Sequence, residues 1–253
     1  MVYHLNLDTH KIAGAKIALL PGDPGRVNEI GAQLDPSAKE IAYKREYRTY
    51  LTKVNGKPIL VTSTGIGGPS TSIAVGELAQ IGVKTFIRVG TTGAIQQDIK
   101  VGDVIISSGA VRLDGASTHY APIEYPAVAH YEILNALVEA AKSLKLRFHV
   151  GITASCDTFY PGQERYDSYS KYVIRRFQGS LDEWRKLQVL NYEMEAATLL
   201  TMCSALGLCA GCVTGVIVNR AKGEHVIPSD LKIGESNAIK VAVEAVRILT
   251  TER

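Results

Sequence analysis

Arg88 stands inside an apolar, strand-like run, Thr85 to Val89, and is followed by Gly90-Thr91-Thr92-Gly93. A guanidinium without a partner is costly in such a place, so it needs either a carboxylate or a bound anion. Thr91 offers a hydroxyl and a backbone N–H to the same anion. Pro21-Gly22-Asp23-Pro24-Gly25-Arg26 has a related layout. The Gly22 backbone can approach an anion closely, and a helix start after it would direct N–H groups there. Arg26 adds a permanent charge whose fork suits phosphate. Each loop also has a plainer reading: a tight turn before a solvated arginine, or an arginine kept for structure. Two such loops in one chain favour phosphate.

Two further segments carry polar groups at useful spacing. In Asp157-Thr158-Phe159-Tyr160-Pro161-Gly162-Gln163-Glu164-Arg165, Gln163 has an acceptor and donors, and Arg165 has donors only. Together they match the O=C–N–H–C=O edge of a uracil, with Phe159 able to stack on the ring. In Asn191-Tyr192-Glu193-Met194-Glu195, Glu195 near a helix start suits a cis-diol, and Met194 supplies a soft apolar contact. A solvated polar loop, a core Phe and Met, and a glutamate favoured by a helix dipole explain the same residues. A third glycine loop, Gly65 to Ser70, is neither GxGxxG nor a P-loop. No HExxH, nucleophile elbow or Cys/His arrangement stands out.

The elements that must position these residues follow from apolar periodicity. Ile17 to Leu20, Thr85 to Val89, Val104 to Ser107, His149 to Ala154 and Val213 to Val218 read as strands. Tyr47 to Val54 and Ile59 to Thr62 face each other across Asn55-Gly56, a hairpin signal. Helices are predicted from near Arg26, through Ala79, over Tyr131 to Leu144, over Met194 to Leu206, and at the C-terminus from about Ser236. Strands alternating with helices predict an α/β fold: one domain over residues 1–253, with a twisted mixed central sheet covered by helices on both faces. Ligands in such sheets sit beyond the carboxyl ends of strands.

Composition narrows the classes. With 46% hydrophobic and 21% charged residues and a net charge of +3, the chain reads as an ordinary globular protein without a nucleic-acid-binding surface. Met1 to Lys16 has no apolar h-region, so no secretory signal is expected and the cytoplasm is the expected location. The uncharged stretch Thr198 to Val218 contains Gly207, Gly211 and Gly215, and reads as helix end, turn and buried strand rather than as a membrane span. Cys209 and Cys212 form a CxxC without further metal ligands nearby, and read as buried strand residues.

Seven stretches in fixed order resemble the bacterial uridine-cleaving members of the nucleoside phosphorylase-I family. They are PGDPGR at Pro21, STGIGGPSTSIAV at Ser63, RVGTTGAIQ at Arg88, VRLDGAS at Val111, DTFYPGQERYDSY at Asp157, NYEMEAATLLTMC at Asn191 and GVIVNR at Gly215. The resemblance implies a pentosyltransferase converting uridine, and 2′-deoxyuridine with it, plus inorganic phosphate to the base and a pentose 1-phosphate. It implies a hexamer built as a trimer of dimers and no cofactor. Phosphate falls to Gly22, Arg26, Arg88 and Thr91, with Arg45 reaching in from a neighbouring subunit. The ribose falls to Thr91, Glu193, Met194 and Glu195, with His4 closing over its 5′-hydroxyl from the partner chain. The base falls to Phe159, Gln163, Arg165, Ile217, Val218 and Arg220. Glu46, Ile66 and Ser70 match positions that hold a potassium ion in some members. Residues 222–231 occupy a stretch that acts as a mobile lid, and no role is assigned within it.

Three rivals share the scaffold. A purine-cleaving relative uses an aspartate after the late buried strand, where this chain has Ile217-Val218-Asn219. A nucleosidase activates water and has no use for Arg26, Arg45 and Arg88 around an anion. A silent nucleoside binder should have lost site residues, whereas this chain retains them.

Overall fold

Side chains of the first apolar run, Ile17–Pro21 (β1), alternate across a sheet: Leu19 enters one core, Ala18 and Leu20 the other. The structure, a computed structural model, describes residues 1–251. Val27–Leu34 (α1) follows, then Lys39–Lys44 (β2), Tyr47–Val54 (β3), Lys57–Thr62 (β4) and Gly68–Gln80 (α2). Next come Thr85–Ala94 (β5), Val104–Leu113 (β6), Ala127–Val128 (β7), Tyr131–Ser143 (α3) and Phe148–Cys156 (β8). The chain ends with Ser180–Lys186 (α4), Asn191–Glu193 (β9), Ala196–Ala205 (α5), Cys209–Asn219 (β10) and Pro228–Thr250 (α6).

The mixed sheet and its two helical layers match the expected fold class. Leu19, Ile59, Val61, Ile87 and Val89 pack with α1, α3 and α6. Ala18, Leu20, Leu60 and Phe86 pack with α2 and α5. Leu5, Leu7 and Ile12 of the N-terminal segment join that second core. The hairpin turn forms as predicted, with Asn55 and Gly56 both at positive φ (50° and 76°). No helix among the described residues is long and apolar enough to cross a membrane.

Three boundaries differ from the sequence reading. β5 does not stop at Val89; it continues through the glycines to Ala94, because β10 keeps pairing beside it, Gly90 with Thr214 and, past a one-residue bulge between Val216 and Val218, Gly93 with Val218. The helix expected from Met194 begins at Ala196, leaving Met194 and Glu195 in the turn before it. The C-terminal helix starts at Pro228, well before Ser236, with the fixed φ of proline in its first turn.

The sheet also closes on itself. β5 pairs with β10, β10 with β6, β6 with β8, β8 with β9, and β9 returns to β5. β1, β4, β3 and β2 extend the sheet from the other end of β5. On that flank β5 is paired with β1 up to Val89 and with β9 from Gly93. Between those points Gly90, Thr91 and Thr92 have strand partners only on the β10 side among the described residues. The change of partner opens a crevice at the carboxyl ends of β1, β4, β5 and β10.

α6 reaches this crevice through a backbone-to-backbone approach. A Cβ on Gly215 of β10 would overlap the carbonyl of Gly234, and a Cβ on Gly234 would lie 2.6 Å from the Val216 oxygen. Gly215→Ala is therefore expected to push α6 outward and cost at least ~2 kcal/mol, lowering the thermal midpoint by about 5–10 °C. Gly76→Ala, in the interior of α2 with only ordinary contact to Met202 at 3.5 Å, is expected to be neutral or slightly stabilising. Equal melting curves for wild type and Gly215→Ala would refute the close-approach argument.

Candidate active site

The crevice holds a cavity of about 780 Å³ lined from six strand ends and the loops after them. β1 contributes Gly22, Asp23 and Arg26; the loop after β4 contributes Gly65 and Ile66; β5 contributes Arg88 and Gly90 to Gly93. Phe159, Gln163 and Arg165 come from the loop after β8, Glu193 to Glu195 from β9, and Ile217 and Val218 from β10. The loops after β1 and β4 are tied by Thr64 N–H donating to the Pro21 carbonyl (2.9 Å) and Gly65 N–H to that of Gly22 (3.0 Å). The Asp23 carboxylate accepts from Gly25 N–H (2.7 Å), shaping the turn that carries Arg26.

Arg88 has the carboxylate partners that its burial demanded, and there are two. Its Nε donates to Glu193 (2.8 Å), and its Nη2 lies 2.6 Å from Glu195. Burial works against its charge, but Glu195 and then Glu193 outweigh it and push the guanidinium pKa up. Glu193 also accepts the backbone N–H groups of Glu195 and Ala196 at the start of α5. The other Glu195 oxygen accepts Gly67 N–H at 2.6 Å, and Gly67 sits at φ 92°, a conformation that favours glycine. Burial raises the Glu195 pKa; Arg88 opposes and Glu193 adds repulsion, with a net upward shift. Two carboxylates sharing one guanidinium make that direction physically sound.

At the other end of the cavity, Gln163 and Arg165 are buried while Phe159 is half exposed. The Arg165 guanidinium lies 4.3 Å from the centre of the Phe159 ring, so a planar group fits the same apolar wall, with Ile217 and Val218. Burial and then the like charge of Arg220 pull the Arg165 pKa down, with Glu224 opposing. Arg165 and Arg220 both pair with Glu224, at 2.6 Å for Arg220 Nε. Arg220 lies behind the cavity rather than in its wall, donating to the Gln163 backbone carbonyl (2.8 Å) over the Tyr192 ring. Asn219 is turned away too, its amide donating to the carbonyls of Gln96 and Ile99.

Gly22, Arg26, Arg88, Thr91, Phe159, Gln163, Arg165, Glu193, Met194, Glu195, Ile217 and Val218 thus share one cavity, and Glu46 and Ile66 reach its edge. His4, Arg45 and Ser70 do not line it. Arg45 is exposed on the turn between β2 and β3, at φ 55°. Lys44, beside it, donates to the Tyr3 carbonyl at 2.5 Å, so Arg45 and His4 belong to one surface. The Ser70 hydroxyl donates to the Ile66 carbonyl at 3.0 Å beside Gly65, against which the Glu46 side chain also packs through Cβ and Cγ.

Sequence reasoning missed two acids at the site. Glu235 of α6 pairs with Arg26, and Glu224 pairs with Arg165 and Arg220. Burial raises the Glu235 pKa, with Arg26 opposing. The four-residue spacing of Arg220 and Glu224 was a usable signal. Glu235 had none, since only the packing of α6 brings it near Arg26.

The sequence profile described as "Phosphorylase superfamily" matches residues 16–250. The chain is 58% identical over 248 residues to the uridine phosphorylase of Escherichia coli (strain K12), covering 98% of each chain. It is 52% identical to the uridine phosphorylase of Thermococcus kodakarensis, over 98% of this chain and 87% of that one. It is 37% identical to the guanosine phosphorylase of Halorubrum lacusprofundi, over 92% and 94% respectively.

The Arg88 cluster has a pH signature. Glu195 takes up its proton at a higher pH in the folded chain than in the unfolded one, whose value lies near 4.5. Folding therefore binds a proton between those two values, and stability falls as pH rises through that interval. Glu195→Gln removes this contribution. The wild-type thermal midpoint is expected to fall more steeply than the variant's as pH rises above about 4.5; parallel curves would show that Glu195 titrates in the ordinary range.

Proposed function

The chain belongs to the phosphorylase superfamily, and from that premise we propose that it catalyses the reversible phosphorolysis of uridine to uracil and ribose 1-phosphate. One observation carries the reading: a single cavity has a glycine–arginine end at Gly22, Arg26, Arg88 and Thr91, a carboxylate centre at Glu193 and Glu195, and a Gln163–Arg165 end against Phe159. These suit phosphate, a ribose diol and a uracil edge in that order. Asn219 stands where a purine-cleaving relative has its aspartate, and its amide is spent on two backbone carbonyls, which supports a pyrimidine over a purine.

In this reading the glycosidic bond lengthens toward an oxocarbenium-like sugar. Glu195 and Met194 hold the ribose, and phosphate beneath C1′ stabilises the developing positive charge and then captures it. The electron pair of the broken bond leaves with uracil. Its carbonyl oxygens take over from Glu224 as acceptors for Arg165, while Gln163 fixes the imide edge. No covalent enzyme intermediate is needed, and catalysis is positioning plus electrostatics. The 2′-hydroxyl is not in the reacting path, so 2′-deoxyuridine is a second expected substrate.

His4 and Arg45 share one face outside the chain's own cavity, which supports a dimer whose sites each borrow them from the neighbour, and a hexamer of three such dimers. The carboxylate of Glu46, carbonyl of Ile66 and hydroxyl of Ser70 form an all-oxygen set that fits a hard monovalent cation such as potassium at that interface. They would orient the loop after β4. The proposed location is the cytoplasm.

Ultraviolet absorbance of uridine with purified protein tests the reaction. Uracil release that depends on inorganic phosphate is expected; release without phosphate, giving free ribose, would mean a hydrolase. Arg165→Ala should lower kcat by roughly 10²–10³, as for other lost stabilisers of a developing anion. Arg45→Ala should raise the phosphate KM at least about tenfold, the worth of one charge-assisted hydrogen bond. An unchanged phosphate KM would remove the shared site.

A further inference from the structure

Glu77 is a carboxylate on a helix face otherwise devoted to the apolar core. Its neighbours on α2, Ala74, Val75 and Leu78, are fully buried, and Glu77 itself is buried. An acid in that setting requires hydrogen bonds. All of those formed come from the N-terminal segment. His4 N–H donates to both oxygens at 2.9 Å, Leu5 N–H donates to Oε2 at 2.9 Å, and the His4 ring meets Oε1 through Nδ1 at 2.7 Å. Burial acts to raise the Glu77 pKa, but the backbone donors of His4 and Leu5 and then the His4 ring outweigh it, and the net shift is downward. Glu77 is therefore an acceptor, and the His4 ring proton sits on Nδ1.

Two backbone N–H groups already satisfy the carboxylate and anchor the segment, helped by Leu5 and Leu7 in the core and by Lys44 on the Tyr3 carbonyl. The ring bond does something further. It orders a side chain that is 35% exposed and would otherwise sample several rotamers. Among the described residues no hydrogen bond engages Nε2, so in the neutral ring this nitrogen is a free acceptor on the surface that also carries Arg45.

We propose that Glu77 is a positioning residue for the 5′ end of the ribose: it locks His4 with Nδ1–H turned inward, so that Nε2 accepts the 5′-hydroxyl proton of the nucleoside bound by a second copy of the chain. The inference rests on the reading above that His4 closes over that hydroxyl. Glu77 touches no substrate and acts through His4 alone.

The test compares kcat/KM for uridine and for 5′-deoxyuridine, which lacks the hydroxyl, in wild type, His4→Ala, Glu77→Gln and the double variant. A general weakening of the fold or assembly lowers both substrates together and leaves their ratio unchanged. The ratio is expected to fall about tenfold in His4→Ala and nearly as far in Glu77→Gln, the worth of one hydrogen bond. The double variant should fall no further than His4→Ala. Glu77→Asp, which keeps the charge but shortens the reach, should give an intermediate ratio, and it decides the matter if Glu77→Gln does not assemble. A collapsed ratio in His4→Ala with an unchanged one in the Glu77 variants would make Glu77 a simple anchor and overturn the proposal. An unchanged ratio in His4→Ala would overturn the placement of His4 itself, and the proposal with it.

Discussion

A guanidinium inside a sheet must be matched by anions that the same sheet can deliver, and Arg88 on β5 imposes that condition on its surroundings. Glu193 comes from β9 and Glu195 from the turn after it, so β9 must lie beside β5. It can do so only if β1, which flanks the first half of β5, gives way before that point. The change of neighbour between Val89 and Gly93 is thus linked to the ion pairs, and the crevice it leaves exposes Gly90 to Thr92 to a ligand. Glu195 binds the loop after β4 through Gly67 N–H, and Glu193 caps the start of α5. One buried charge cluster therefore connects two strands, two loops and a helix. Removing either carboxylate would loosen more than a single contact.

Closure of the sheet gives these contacts their rigidity. A strand as short as β9 would be a weak edge on its own, but it is held on both sides, by β8 and by β5. The side opposite β9 is sealed by β10, and α6 comes close enough to β10 at Gly215 and Gly234 to bring Glu235 over Arg26. The phosphate-type end of the cavity is therefore completed by the last helix in the chain, and a distortion where α6 meets β10 would be transmitted to Arg26.

Much of this was legible from local chemistry. The cost of burying Arg88 required an anion, and the sequence reading left open whether a carboxylate or a ligand would supply it; the chain supplies two carboxylates. The Asn55-Gly56 turn and the apolar runs gave most of the sheet, because two-residue hairpins and alternation are encoded over a few residues. What escaped notice depends on distant parts of the chain. Glycines at 90 and 93 signal a turn locally, yet β10 holds them in a strand. Glu77 reads as a surface helix residue until the N-terminal segment folds over it. Glu224 and Glu235 lie in a stretch where the local pattern is polar, and only the path of the chain from β10 into α6 brings them to arginines.

The distribution of charge along the cavity follows the charges that the proposed reaction develops. At the base end Arg165 and Arg220 share Glu224, leaving a surplus positive charge where uracil departs as an anion. At the centre Glu193 and Glu195 share Arg88, leaving a surplus negative charge beside a sugar that becomes cationic. At the phosphate end Arg26 is matched by Glu235, and Asp23 lies in the same wall, so the chain by itself offers a dianion no net positive charge there. Arg45, exposed on a turn and absent from the lining of this cavity, is the cation that the proposed shared site would bring to that end from a second copy. In the proposed dimer, then, the neighbour would contribute charge to phosphate binding and not only contacts to the fold.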